Sequence, residues 1–161
     1  RPGAAAIGCA DSRMAPVMAA VLAARGDTAL VFRGDDGLDE LTTTTTSRVW
    51  VVRDGDVREE SLDPAALGLP TADRDALRGA DAEHNAKVAR AVFAGDRGPI
   101  RDAVLLNAGA ALAAYDGLPA PLAEAVAEGI GRAAAAIDSG AAADVLDRWI
   151  TVSRSARADA V

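Results

Sequence analysis

Two kinds of hydrophobic spacing divide the chain. Before about residue 62 apolar positions come in short runs between turn residues, and beyond about residue 80 they recur every three or four positions. Thr28 to Phe32 is a continuous apolar run bounded by Gly26 and Gly34, the pattern of a strand buried on both faces. Ala4 to Ala10, ending in Gly8 and Cys9, predicts a second strand entering a turn. Between them Met14, Val17, Met18, Val21 and Leu22 lie at helical spacing. Asp11 or Ser12 can cap this helix, Pro16 fits its first turn and Gly26 its end, so the spacing predicts a helix to about Arg25 with its apolar face and both methionines in the core. Strand, helix and strand form a parallel unit.

The five threonines Thr42 to Thr46 carry branched Cβ atoms, which favour extended backbone, and lead into RVWVVR, Arg48 to Arg53. Asp54 and Gly55 make a turn, and Val57 to Leu62 returns with alternating polarity, so a hairpin with one exposed face is predicted. Trp50 anchors its packing. Residues 63–78 are loop, punctuated by Pro64, Gly68 and Pro70. Four helices follow: Asp81, as cap, to about Ala94; Gly98 to Tyr115; Pro121 to Ser139; and, after Gly140 as a stop, Ala141 to about Ser155. Gly129 and Gly131 within the third predict close approach of a neighbouring backbone. The fold class is α/β: a few strands, a β-hairpin and a helical carboxyl-terminal tail.

Composition narrows the picture. With 161 residues the chain is one domain that can bury its own core, and since only two Trp, two Phe and one Tyr are present, Ala, Val and Leu must fill it. A net charge of -7 argues against nucleic acid as partner, because phosphate contacts need clustered Lys and Arg. No basic amphipathic helix, no signal-peptide pattern and no apolar run near the ~18 residues of a membrane span is found, which predicts a soluble, cytoplasmic protein with no membrane partner. Cys9, the single cysteine, has no internal disulfide partner, and its neighbours Ile7 and Ala10 predict a small buried side chain.

Candidate chemistry concentrates after the Thr28 to Phe32 strand, where Asp35, Asp36, Asp39 and Glu40 share one loop. Loops at the carboxyl ends of strands are where α/β proteins hold ligands. Four such carboxylates repel one another unless a cation or hydrogen-bond donors gather there, and the adjacent Asp39 and Glu40 suit Mg²⁺, which keeps several waters and shares substrate phosphates. The competing reading is a solvated acidic turn. His84, the single histidine, sits among polar residues near a helix start, as an exposed side chain or a general base. Asn107 on the apolar stretch Val104 to Leu112 is a buried group that fixes packing, or a substrate contact. Arg101 and Asp102 are adjacent, do not face one another, and are expected to bond to other segments.

GDDGLDELT, Gly34 to Thr42, resembles the DGLDE segment of anthranilate phosphoribosyltransferases. DAEHNAKVARAVFAGDRGPIRDAVLLNAGAAL, Asp81 to Leu112, is similar to that family's NA and GxRGPxRDAVLLNA region, AIDSGAA, Ala136 to Ala142, to its IDSG helix pair, and RPGAAAIGCA, Arg1 to Ala10, to the end of its NPxRP and IGC segment. Three separated motifs in the same order are more specific than any one of them. The resemblance implies a phosphoribosyltransferase and nucleoside-phosphorylase-like α/β domain. It implies transfer of phosphoribose from phosphoribosyl pyrophosphate to the amino group of anthranilate in tryptophan biosynthesis. It further implies Mg²⁺ on the diphosphate, held by Asp39 and Glu40, with Asp36 and Gly37 shaping the loop and Asn85 and Asn107 matching the NA and LLNA motifs. No residue of the chain is implied as a catalytic group, and the full-length parent is implied to be a homodimer.

Two departures accompany the likeness. Arg33 stands where the family commonly has His, beside the acidic loop and expected to pair with Asp35 or Asp36. The family's glycine-rich diphosphate loop, anthranilate contacts and helical dimerisation domain all belong upstream of Arg1, which is not a methionine. Residues 1–161 are therefore expected to be the partial carboxyl-terminal catalytic domain of a transferase, incomplete alone. Its Thr28 to Phe32 strand is expected to show an unpaired edge or exposed face. The rivals are a nucleoside phosphorylase, which has no reason to carry GLDE with RDAVLLNA, a nucleic-acid-binding or regulatory relative, which should be basic, and a noncatalytic remnant of the same fold.

Overall fold

A computed structural model describes residues 2–158 as a four-stranded sheet with one helix on one face and helices on the other. β1 (Ala5–Gly8), α1 (Ala15–Ala24) and β2 (Ala29–Gly34) make the predicted parallel unit, with Ile7 beside Val31. β3 (Ser47–Arg53) and β4 (Asp56–Leu62) continue the sheet antiparallel in the order β1-β2-β3-β4. Asp54 and Gly55 join them with φ of 54° and 83°, the two positive values that a two-residue turn of matching twist needs. β4 shows solvent most of its length, whereas Trp50 on β3 is buried.

The apolar run of β2 is continuous because both of its faces are covered. Leu30 and Phe32 pack with Val49, Val51 and the helices that follow; Ala29 and Val31 pack with Trp50, Val52 and α1. Contrary to expectation, β2 has no unpaired edge: it is hydrogen-bonded to β1 on one side and to β3 on the other. Among the described residues the outer strands are β1 and β4.

α1 also differs from its sequence pattern. Its buried face is Ala15, Ala19 and Ala23, with Met18 and Leu22 packed at the margin, while Met14, Val17 and Val21 are exposed. Alanines bring the helix close against β2 and β3, and Trp50 supplies the volume that they lack. Neither Asp11 nor Ser12 caps it: the cap position is Met14, and the Asp11 carboxylate is engaged by the backbone N–H and guanidinium of Arg13.

After two short 3₁₀ turns, Ala65–Leu67 and Arg74–Leu77, come α2 (Ala82–Phe93), α3 (Pro99–Tyr115), α4 (Leu122–Asp138) and α5 (Ala141–Ala158), close to the predicted bounds. Asp81 caps α2 by accepting from the His84 N–H at 2.8 Å, and Gly140 ends α4 with φ 82°. α3 and α4 cross where Gly109 meets Gly129. A Cβ on Gly129 would collide with the Gly109 carbonyl, and one on Gly109 would lie 2.8 Å from the Ile130 nitrogen. Gly131 was expected to serve the same purpose, but nothing lies within 4 Å of a Cβ placed there.

Candidate active-site loop

β2 runs directly into the acidic loop. The Gly34 N–H donates to the Leu38 carbonyl at 2.9 Å and the Gly37 N–H to the Gly34 carbonyl at 3.0 Å, with Gly37 at φ 97°. One Asp36 carboxylate oxygen accepts from the Leu38 N–H at 3.1 Å, and the other from the hydroxyls of Thr42 and Thr44 at 2.7 and 2.6 Å. The Arg74 guanidinium donates to the Asp36 carbonyl at 2.6 Å. Partial burial pushes the Asp36 carboxyl up, but the Thr44 and Thr42 hydroxyls, the Leu38 N–H and the nearby Arg74 charge outweigh it, and the group is held below its ordinary value. Asp36 and Gly37 thus shape the loop.

This changes the meaning of the threonine run. Thr42 to Thr46 is not extended; it bends, and the β-branched preference gives way to hydroxyl bonds with the preceding acids. Thr46 donates to Asp35 at 2.6 Å, so two of the four carboxylates have hydroxyl donors of their own. Arg33 does not pair with either acid. Its guanidinium donates to the carbonyls of Cys9 and Ala10, tying the end of β2 to the turn after β1, where the buried Cys9 thiol donates to the Asp11 carbonyl.

Asp39 and Glu40 are the acids left over. Both are exposed, and neither side chain has a hydrogen-bond or ion-pair partner among the described residues. Their backbone, in contrast, is held from two sides. Gly8 lies so close beneath that a Cβ there would collide with the Asp39 carbonyl. On the other side Asn107 of α3 clamps Leu41: its Oδ1 accepts from the Leu41 N–H at 3.1 Å, and its Nδ2 donates to the Leu41 carbonyl at 2.9 Å and to the Ala103 carbonyl at 3.0 Å. Leu41 itself is buried.

No group of three His, Cys, Asp or Glu among the described residues could form a metal cage. Two free, adjacent carboxylates nevertheless fit Mg²⁺ as it is used with phosphate substrates, where water and phosphate oxygens fill the rest of its shell. Asp35 and Asp36 are spoken for by hydroxyls, so Asp39 and Glu40 are the residues that would hold it.

The other predicted groups fall into supporting places. His84 is exposed and Asn85 bonds locally, accepting from the Ala80 N–H at 3.0 Å and donating to its carbonyl at 3.1 Å. Arg101 is buried and reaches Asp138 at the end of α4 at 2.7 Å, the bond to another segment that was expected. Sequence reasoning missed Gly8 and the threonine hydroxyls. The five consecutive hydroxyl side chains following DDGLDE were the available signal for the latter. Beside the loop an apolar groove of about 610 Å³ opens between α2 and α3, with Glu40, Arg78 and His84 among its lining residues.

Known proteins share this architecture. The model of the Glycosyl transferase family, a/b domain, matches residues 1–143. The anthranilate phosphoribosyltransferase of Acidothermus cellulolyticus is 63% identical over 158 residues, 98% of this chain and 44% of its own length. That of a Nocardioides species is 62% identical, over 92% of this chain and 43% of its own. Among solved structures, anthranilate phosphoribosyltransferase from Saccharomyces cerevisiae in complex with PRPP and Mg has a TM-score of 0.80 at 25% identity, covering 93% of this chain and 42% of that one. The enzyme from Thermus thermophilus has a TM-score of 0.76 at 34% identity, covering 89% and 41%. The chain spans less than half the length of the relatives it matches.

Proposed function

Because the chain belongs to the Glycosyl transferase family, a/b domain, we propose that it serves as the carboxyl-terminal part of an anthranilate phosphoribosyltransferase, and that Asp39 and Glu40 carry its share of the active site. The observation that carries this reading is the contrast within one loop: Asp35 and Asp36 are consumed by hydroxyls, while Asp39 and Glu40 project free from a clamped backbone. Carboxylates presented in this way suit a ligand that brings its own cation and its own oxygens.

The proposed reaction displaces pyrophosphate from the anomeric carbon of phosphoribosyl pyrophosphate by the amino group of anthranilate. Mg²⁺, when bound, would supply neutralisation of the negative charge gathering on the departing diphosphate. Asp39 and Glu40 orient that end of the substrate; Gly8 and Asn107 keep the pair from retreating as charge shifts. No covalent intermediate with the protein is needed. The chain supplies no group assigned to anthranilate, so it is catalytically incomplete alone, and the complete enzyme is proposed to be a cytoplasmic homodimer. Among the described residues no helix is long and apolar enough to cross a membrane.

Titrating the chain calorimetrically with pyrophosphate in the presence and absence of Mg²⁺ tests the reading. Binding that needs Mg²⁺ and disappears in Asp39→Asn and Glu40→Gln is expected. Equal binding by the wild type and both variants would remove these residues from the site. Loss of anthranilate fluorescence on incubation of the chain alone with phosphoribosyl pyrophosphate would overturn its incompleteness.

A further inference from the structure

Arg33 is a cation in an acidic neighbourhood that no acid has neutralised. Its Nη1 donates to the Cys9 carbonyl at 3.1 Å and to the Ala10 carbonyl, so part of the guanidinium is spent on the turn after β1. Nη2 lies 3.5 Å from the point that a Cβ on Gly37 would occupy, beside the acidic loop. Among the described residues neither Nε nor Nη2 has a hydrogen-bond acceptor or a carboxylate partner, and neither is sealed from solvent. The neighbouring acids are engaged elsewhere. Asp11, whose carboxyl is held below its ordinary value first by its bonds from Arg13 and more weakly by the charge of Arg33, meets the Arg13 guanidinium at 3.0 and 2.7 Å. Asp35 accepts from Thr46, and Asp36 from Thr42, Thr44 and the Leu38 N–H. Arg74, the other guanidinium at the loop, donates to the Asp36 carbonyl. A guanidinium fixed on backbone carbonyls through one nitrogen, with its Nε and Nη2 edge open, is a receptor for an oxyanion.

Resting on the reading that Asp39 and Glu40 hold Mg²⁺ on a diphosphate, we propose that Arg33 is a further binding residue of that site, donating from Nε and Nη2 to phosphoryl oxygens of the diphosphate. Placement supports this. Cys9 and Ala10, whose carbonyls fix the guanidinium, directly follow Gly8, which lies against the Asp39 carbonyl, so the cation and the carboxylate pair are carried at the same end of β1. Ligands of α/β sheets sit beyond the carboxyl ends of the strands. Charge supports it as well. Two free carboxylates suit a metal and repel phosphate, a free guanidinium suits phosphate and repels a metal, and a metal diphosphate presents both partners at once. Arg33 stays charged throughout and transfers no proton; it neutralises charge on the departing diphosphate from the side that the carboxylates cannot serve.

The test is made on the chain itself, isotopically labelled for NMR. The Nε–H signal of Arg33, assigned through the backbone resonances, is expected to shift and to exchange with water more slowly when pyrophosphate and Mg²⁺ are added together. That of Arg13, already bonded to Asp11, is expected to stay in place. By calorimetry Arg33→Ala should bind pyrophosphate with Mg²⁺ at least about tenfold more weakly than wild type, as for the loss of charge-assisted hydrogen bonds. Arg33→Lys should fall between the two, since the charge is kept and the fork is lost. An Arg33 signal that pyrophosphate leaves unmoved overturns the proposal even where the variants bind weakly, because weaker binding alone is what a brace for the turn would give. Weakening toward ribose 5-phosphate in place of pyrophosphate also overturns it, by putting Arg33 at the other end of the substrate. If Arg33→Ala fails to fold, the wild-type signal decides. Asp39→Asn and Glu40→Gln separate the proposal from the reading beneath it. Binding lost in these two but kept in Arg33→Ala rejects Arg33 alone, and binding kept in both with a shifted Arg33 signal rejects the carboxylate pair while the Arg33 contact stands.

Discussion

The acidic loop and α2 face the same groove but are built differently. The loop is held over a short stretch by hydroxyls, backbone hydrogen bonds, a buried leucine and a glycine contact, all made within this chain. α2 has a well-formed cap and one buried residue. The difference separates a segment fixed by many contacts from a helix that makes few. The backbone that carries Asp39 and Glu40 is fixed by contacts within the chain, whereas α2 buries only Val92.

The sharpest way to break what the chain builds by itself is at the α3–α4 crossing, since α3 carries the Asn107 that clamps the loop. Gly129→Ala places a methyl group against the Gly109 backbone, and overpacking of that kind costs typically about 1–3 kcal/mol, more where backbone must move. A large fall in the urea midpoint is expected. Gly131→Ala should do the opposite, raising stability by up to about 1 kcal/mol through helix propensity alone, since its Cβ meets nothing within 4 Å. If both variants shift the midpoint equally, the α3–α4 crossing is not the close contact described.

Next in size is Asn107→Ala. It strands the Leu41 N–H and carbonyl beside a buried side chain, at a cost of about 1–3 kcal/mol for unsatisfied groups. The variant should also speed amide exchange at Leu41 more than at β3 and weaken Mg²⁺-dependent pyrophosphate binding. A uniform loss of protection across the sheet would mean that Asn107 supports the fold and not the loop in particular.

Which of these features were visible in the sequence follows from how local their causes are. The β2 run, the Asp54–Gly55 turn, the Asp81 cap and the Gly140 stop are decided by neighbours a few residues away, and each is where the pattern put it. The errors share a non-local cause. α1 presents alanines because Trp50, a strand away in the sequence, already fills the space; β2 lacks a free edge because β3 covers it. Arg33 finds carbonyls contributed from beyond β1 in preference to its acidic neighbours. The DGLDE motif located the candidate site, but which two of the loop's four acids, Asp35, Asp36, Asp39 and Glu40, remain free depends on hydroxyls arriving from Thr42, Thr44 and Thr46.

Acid sensitivity probes those hydroxyls. The Asp36 carboxyl is held below 3.8 in the folded protein, so its contribution to stability is fully present above that value, where it is ionised whether folded or unfolded. As pH falls through 3.8 the unfolded chain takes up the proton first, and the contribution is lost progressively until the folded carboxyl protonates as well. The urea midpoint of the wild type should therefore decline in this range. Asp36→Asn should lower stability at neutral pH and flatten that part of the acid decline. An unchanged acid limb would show that the threonines do not stabilise the charged form.

The smallest expected effect on stability belongs to the residues with the largest proposed role. Asp39→Asn and Glu40→Gln remove charges that bond to nothing among the described residues, so their urea midpoints should stay within about 0.5 kcal/mol of wild type, as for exposed substitutions generally. Relief of repulsion among neighbouring acids acts in the stabilising direction. Gly8→Ala makes the informative partner: it leaves both carboxylates in the sequence but drives a methyl group into the Asp39 carbonyl, displacing the pair. Loss of Mg²⁺-dependent pyrophosphate binding in all three, with stability lost only in Gly8→Ala, is the pattern that follows if the loop exists to present two free carboxylates. A Gly8→Ala protein that binds like wild type would separate the chemistry of Asp39 and Glu40 from the backbone that carries them.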